Sequence, residues 1–279
     1  MIDTLLQIWL QAYTATHNET QPIHSAPSAR YVTQAPLSQF QPAPSFAFGK
    51  NFNNYGVAMK YQVLGVYPST NVLNRLKQCE STVFNAYLAL PDSQRGHLSQ
   101  ITLRWTSDTN RGLGGGSAIS LKCNDLSTTE LTSVFVHEMG HVTDTGLYEG
   151  HSSAGVSNFR DSQVSVFKDD PSVDFYSISW KNSKTRLRDS NALDFVTTYA
   201  QTDPFEDFAE SYNFYLLHGS QFKYAAQFSS RLMRKYAYLR DQIFHGKEFR
   251  NNEVKLNAKK KSYDSTVLPF SLDNFLKIV

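Results

Sequence analysis

Cysteine is scarce in this 279-residue chain. Cys79 and Cys123 are too few for a scaffold stapled by several disulfides, and they lack the CxxC spacing of a thiolate metal site. They could form one bridge or remain two buried thiols, and the sequence leaves both open. An excess of one charge is missing too. Lys and Arg total 27 against 25 Asp and Glu, a net charge of +2, which provides no basic surplus for nucleic acid or an anionic membrane. No stretch approaches the roughly 18 uninterrupted apolar residues of a membrane helix, so no membrane span is expected. The opening "MIDTLLQIWLQAYTATHNETQP" has a short apolar core and an early Asp3, a poor secretory signal as written. The glycine run "RGLGGG" at 111–116 lacks the lysine of a phosphate-binding loop and reads as a flexible hairpin. There is no internal repeat.

What is present suits a mixed fold: 41% of residues are hydrophobic, and 19 Phe and 15 Tyr favour strands and aromatic-rich helices. Residues 1–56 read as an extended N-terminal segment, rich in Pro, Gln, Ser and Asn over 19–56. A domain is expected over 57–245. Residues 246–279 read as a basic tail whose last part, "VLPFSLDNFLKIV", could dock back. "VAMKYQV", "ITLRW" and "SAISLKC" alternate as strands with one buried face, and Leu76, Cys79, Val83, Tyr87 and Leu90 recur at helical spacing ahead of Pro91. Residues 146–190 look like a long irregular excursion. Helices are expected over "DPFEDFAESYNFYLLHG", with Pro204 in its first turn, and over 227–245, with Phe228, Leu232, Tyr236, Leu239 and Ile243 buried. The class is α+β: a small twisted sheet packed on helices.

The chemistry is concentrated in "VFVHEMGHVTDT". Ser127 and Glu130 predict a capping box that starts a helix here. On that helix His137 and His141 project from one side and can turn ring nitrogens toward one ion, and Glu138 is placed to take a proton from metal-bound water. A catalytic zinc needs a third protein ligand. Glu206 and Glu210, four apart on the later helix, can give one carboxylate to the metal and keep the other to orient a ligand imidazole.

"HEMGHVTD" followed by "FVTTYAQTDPFEDFAES" resembles the catalytic domain of anthrax lethal factor and the Pro-Pro endopeptidases, zinc metallopeptidases of the gluzincin type, over about residues 100–245. The resemblance implies one catalytic Zn2+ held by His137, His141 and Glu206, with Glu138 as general base. It further implies Tyr199, seven residues before Glu206, as the donor to the oxyanion, and Glu210 as support for His137 or His141. Asp144 is a rival third ligand, but its short side chain so close to His141 would crowd the metal. Tyr148, His151 and His218 are left out of the site, His218 because a cation at a helix end favours the dipole without catalysis. The expected activity is hydrolysis of peptide bonds within a protein or peptide, bound extended along a sheet edge near 117–123. Two alternatives share the metal: a zincin-like binding module that hydrolyses nothing, and a hydrolase of a non-peptide amide. The resembled proteins are mostly secreted, which suggests an extracellular location.

Overall fold

The computed structural model describes residues 45–52, 56–147, 149–250 and 261–277. Expectations for residues 1–44, for Tyr148 and for the basic stretch 251–260 lie outside them. The alternating segments build the sheet. Strand β1 (Ser45–Phe52) pairs antiparallel with β2 (Val57–Leu64), which buries Val57, Met59, Tyr61 and Val63 on one face. The sheet thus begins before residue 57, within the segment read as extended; the alternation of Phe46 and Phe48 was masked by the Pro- and Gln-rich stretch before it.

Helix α1 (Thr70–Leu88), capped by Ser69, makes the crossover from β2 to the parallel strand β3 (Gln100–Trp105). It buries Leu76, Cys79, Val83 and Tyr87, the face its spacing predicts. The chain continues through β4 (Gly112–Gly115) and β5 (Ala118–Lys122), and the sheet order is β1-β2-β3-β5-β4. Strand β5 lies parallel to β3 and antiparallel to β4, with hydrogen bonds on both sides. The segment near 117–123 is therefore not a sheet edge, as the sequence reading had it. The outer strand on this side, opposite β1, is β4, built from the glycines read as a flexible hairpin.

Cys79 of α1 and Cys123, just after β5, form a disulfide with their Cα atoms 5.7 Å apart. Closing a 44-residue separation is worth about 4 kcal/mol in the chain-entropy account.

Helix α2 (Thr128–Val142) starts at Ser127, whose hydroxyl accepts from the Glu130 N–H at 3.1 Å. Only half of the expected capping box forms, because the Glu130 carboxylate turns to Arg111 at 3.0 Å. The 146–190 excursion is more ordered than its polar composition suggests. It holds the hairpins β6 (Val156–Asp161) with β7 (Val164–Phe167) and β8 (Trp180–Asn182) with β9 (Thr185–Arg186), and a short helix α3 (Ser172–Tyr176).

Helix α4 (Pro204–Leu217) has Pro204 in its first turn and Asp203 as its cap, and it buries Phe208, Tyr212 and Leu216 while Phe205 is half-buried. The single helix expected over 227–245 is instead preceded by α5 (Gly219–Ala226) and begins afresh at α6 (Ser230–Tyr238) under its own cap, Ser229. Phe228 falls in the intervening turn and is 63% exposed, whereas Leu232, Tyr236, Leu239 and Ile243 are buried as expected. The last segment docks: Phe270 is buried, and so is Phe275 of α7 (Leu272–Phe275). No described helix is long and apolar enough to cross a membrane. The result is an α+β, zincin-like fold in which α2 is packed between β4 and α4.

Candidate metal centre

Helices α2 and α4 touch where their side chains are smallest. A Cβ on Gly140 would stand 2.8 Å from Ala209 Cα, so any larger residue at 140 would force the helices apart. His137 and His141 flank Gly140 on α2, and Glu206 and Glu210 flank Ala209 on α4. That close approach lets a carboxylate from one helix reach the imidazoles of the other.

Glu206 Oε2 lies 3.3 Å from His137 Nε2 and 3.4 Å from His141 Nε2. Among the described residues, these three offer ligand atoms within 4.8 Å of one another. Ligands at about 2.0–2.1 Å from a tetrahedral zinc stand about 3.3–3.4 Å apart. Glu206 Oε2 is buried and makes no hydrogen bond of acceptable geometry, although two imidazole nitrogens face it. An oxygen placed this way is unsatisfied by protein and suited to a shared cation. Two neutral imidazoles and one carboxylate are also the donor set that zinc takes in catalytic sites, so the residues fit the ion.

The electrostatics follow from burial and proximity. Burial alone would push the two histidines down, but Glu206 raises both and Glu210 adds to the effect on His137. Glu206 shows the converse: burial would raise its carboxyl, and the two imidazoles hold it below the usual carboxylate range. Glu210 is fully buried. Its Oε1 stands 2.9 Å from His137 Nδ1, close but not aligned for a linear hydrogen bond. Of the two imidazoles offered by the sequence, the one that Glu210 stands beside is that of His137.

Glu138 is buried against the glycine-rich strand. A Cβ on Gly112 would overlap its Oε1, and one on Gly114 would come within 2.6 Å of its carbonyl oxygen. Strand β4 therefore needs glycine here to lie against α2, a reason for "RGLGGG" that the sequence reading missed. The Gly114 N–H donates to the Glu138 carboxylate, whose pKa is raised mainly by burial and pulled back by the two histidines. Tyr199 lies in a 3-10 turn, its ring 6.3 Å from that of His137, and its hydroxyl donates to Glu206 Oε1 at 2.9 Å. Burial, then Glu206, raises its pKa.

The residues set aside lie elsewhere in the chemistry. Asp144 is buried and accepts from the Tyr176 hydroxyl at 2.6 Å, with burial raising its pKa to about 7. His151 is exposed and pairs with Asp169. His218 is not a cation at a helix end: it is buried between Phe214 and Phe270, and desolvation lowers its pKa to about 4. Two residues near the site were invisible to motif reading. Thr197 and Ser265 both donate to Glu210, and nothing local in "DFVTTY" or "YDSTV" announces it.

Two histidines and a glutamate converging beside a buried carboxylate define a metal centre of the zinc-peptidase kind. Residues 127–274, just over half of the chain, match the family described as "Putative zinc-binding metallo-peptidase", and the chain belongs to that family. The match begins at the cap of α2 and ends inside α7, so it takes in both metal-facing helices, Tyr199 and Ser265. No curated protein and no solved structure matches the chain.

Proposed function

We propose that the protein is a zinc endopeptidase of the gluzincin type that cleaves a protein or peptide bound along β4, with Glu138 as general base. The observation that carries this reading is the convergence of His137 Nε2, His141 Nε2 and the unsatisfied Glu206 Oε2 next to Glu138. Zinc at that point would supply a Lewis acid that polarises the scissile carbonyl and acidifies the attacking water. Glu138 takes the proton of that water and hands it to the leaving amine; its burial favours a base of higher pKa than an exposed glutamate. Tyr199 stays protonated, and with its hydroxyl on Glu206 and its ring beside His137 it is the donor that would meet an oxyanion forming there.

Strand β4 replaces 117–123 as the docking edge. It is outermost in the sheet and adjoins Glu138, so an extended substrate could add as a further strand with its backbone held across the base. The likeness of "HEMGHVTD" and "FAES" to lethal factor and the Pro-Pro endopeptidases supports the gluzincin assignment. The Cys79–Cys123 disulfide supports an oxidising, extracellular setting.

Digestion of a peptide library with and without a chelator tests activity, metal dependence and specificity together. Glu138→Ala should bind zinc at wild-type stoichiometry and lose about 10²–10⁴ in turnover. Retained cleavage by this variant would remove Glu138 from the mechanism, and a wild-type chain that binds zinc but cleaves nothing would leave the binding-module reading standing.

A further inference from the structure

We propose that Tyr263, Asp264 and Ser265 form a brace that sets the metal site from outside it, with Ser265 as a positioning residue for His137. The inference rests on the zinc reading above and extends it to a segment that the sequence places in a tail. Ser265 is fully buried. Its N–H donates to Glu210 Oε2 at 2.7 Å and its hydroxyl to Oε1 at 2.9 Å, while the Thr197 hydroxyl reaches Oε2 at 2.6 Å. Gripped at both oxygens, the carboxylate cannot rotate, and Oε1 stays 2.9 Å from His137 Nδ1. A carboxylate this close to Nδ1 favours the proton on that nitrogen, even without a linear hydrogen bond between them, and so leaves the Nε2 lone pair for a metal. Ser265 thus acts on the metal ligand through one intermediate, Glu210.

The two preceding residues reach other parts of the same site. Asp264 Oδ2 accepts from Arg111 at 2.7 Å, and Arg111 also holds Glu130 in the first turn of α2 at 3.0 Å. Arg111 directly precedes β4, so this pair ties the start of the outer strand to the helix that carries His137. The far oxygen of Asp264 accepts from the Thr266 N–H and hydroxyl at 2.9 and 2.7 Å, which keeps the carboxylate aimed. The Tyr263 carbonyl accepts from the Tyr199 N–H at 2.6 Å, and the Ser262 carbonyl from Thr198 at 3.0 Å, seating the turn that presents Tyr199. The buried aromatic anchors of the segment are Phe270 and Phe275. The polar contacts of 263–265 run to the metal-ligand support, the outer strand and the Tyr199 turn.

Zinc affinity of the full chain, read by competition with a chromophoric chelator, tests the brace. Glu210→Gln should weaken zinc binding about 10–100-fold, the usual effect of altering a partner of a ligand histidine, and Ser265→Ala by several-fold up to about tenfold. Because both act through one carboxylate, the double variant should bind zinc no more weakly than Glu210→Gln alone. A merely structural Ser265 would lower the melting temperature of the zinc-free protein and leave affinity unmoved. Wild-type affinity in Ser265→Ala, or an additive loss in the double variant, overturns the inference. A wild-type chain that fails to bind zinc would overturn the metal reading instead, so the two failures are distinguishable.

Discussion

Glu206 and Asp207 are neighbours on one helix, and they solve the problem of a buried carboxylate in opposite ways. Glu206 faces the two histidines with one oxygen lacking any hydrogen bond. Asp207, fully buried on the other side of α4, meets Lys235 at 2.6 Å and accepts from Trp180 Nε1 at 2.9 Å. Lys235 is equally enclosed: it donates to the Asp194 carbonyl at 2.8 Å and sits 4.0 Å over the Phe195 ring. Burial raises Asp207 and lowers Lys235, each partly restored by the other. One carboxylate carries its own cation, and the other is arranged for a cation that the chain does not supply. Each carboxylate keeps one buried oxygen without a hydrogen bond, Glu206 Oε2 and Asp207 Oδ1, so what sets the binding site apart is the charge beside it: a fixed ammonium at Asp207, and two imidazole nitrogens at Glu206.

The sharpest way to break this comparison is to neutralise each side. Lys235→Met should cost about 3–5 kcal/mol in urea unfolding, because it strands the Asp207 charge. Adding Asp207→Leu should recover most of that loss, since a buried pair replaced by apolar side chains is often neutral or stabilising. Glu206→Gln should act mainly on the ion: zinc stoichiometry falls toward zero, and the zinc-free protein melts somewhat lower because the two histidines lose the carboxylate that faces them. Full stoichiometry in Glu206→Gln would remove it from the ligand set. A Lys235→Met protein as stable as wild type would show that the enclosed pair is not what neutralises Asp207.

Sequence patterns served well where local periodicity and chemistry coincide. The alternation at 57–63, the α1 face and the H-E-x-x-H and E-x-x-x-E spacings each express a geometry that a few residues determine alone. Long-range pairing was not legible. Strand β5 alternates like an edge strand because alternation reports one buried face and says nothing of which edges are hydrogen-bonded. The glycines of β4 look flexible until Glu138 lies against them, and Ser265 looks like tail until Glu210 lies beneath it. His218 was misread for a related reason: a helix end predicts a favourable cation only where water or an acid can share the charge.

His218 also provides the smallest and most graded test of the comparison, as a buried titratable group with no counter-charge among the described residues. Its ring sits against Phe214 and Phe270, and burial holds its pKa at about 4, below the ordinary 6.5. The unfolded chain therefore takes up this proton first as pH falls. The associated stability is fully present above about pH 6.5 and drains away as pH drops toward 4. Between pH 7 and pH 5 the wild type should lose about 2 kcal/mol through this residue. His218→Phe keeps an aromatic ring in the same place and cannot titrate, so the difference between the two unfolding free energies isolates the effect from every other ionising group. The gap should narrow from the wild type's side by that amount as pH falls from 7 to 5. A gap that stays constant would mean the folded protein protonates His218 as readily as the unfolded chain does, and that burial without a partner is tolerated here more cheaply than the contrast with the carboxylate-flanked His137 implies.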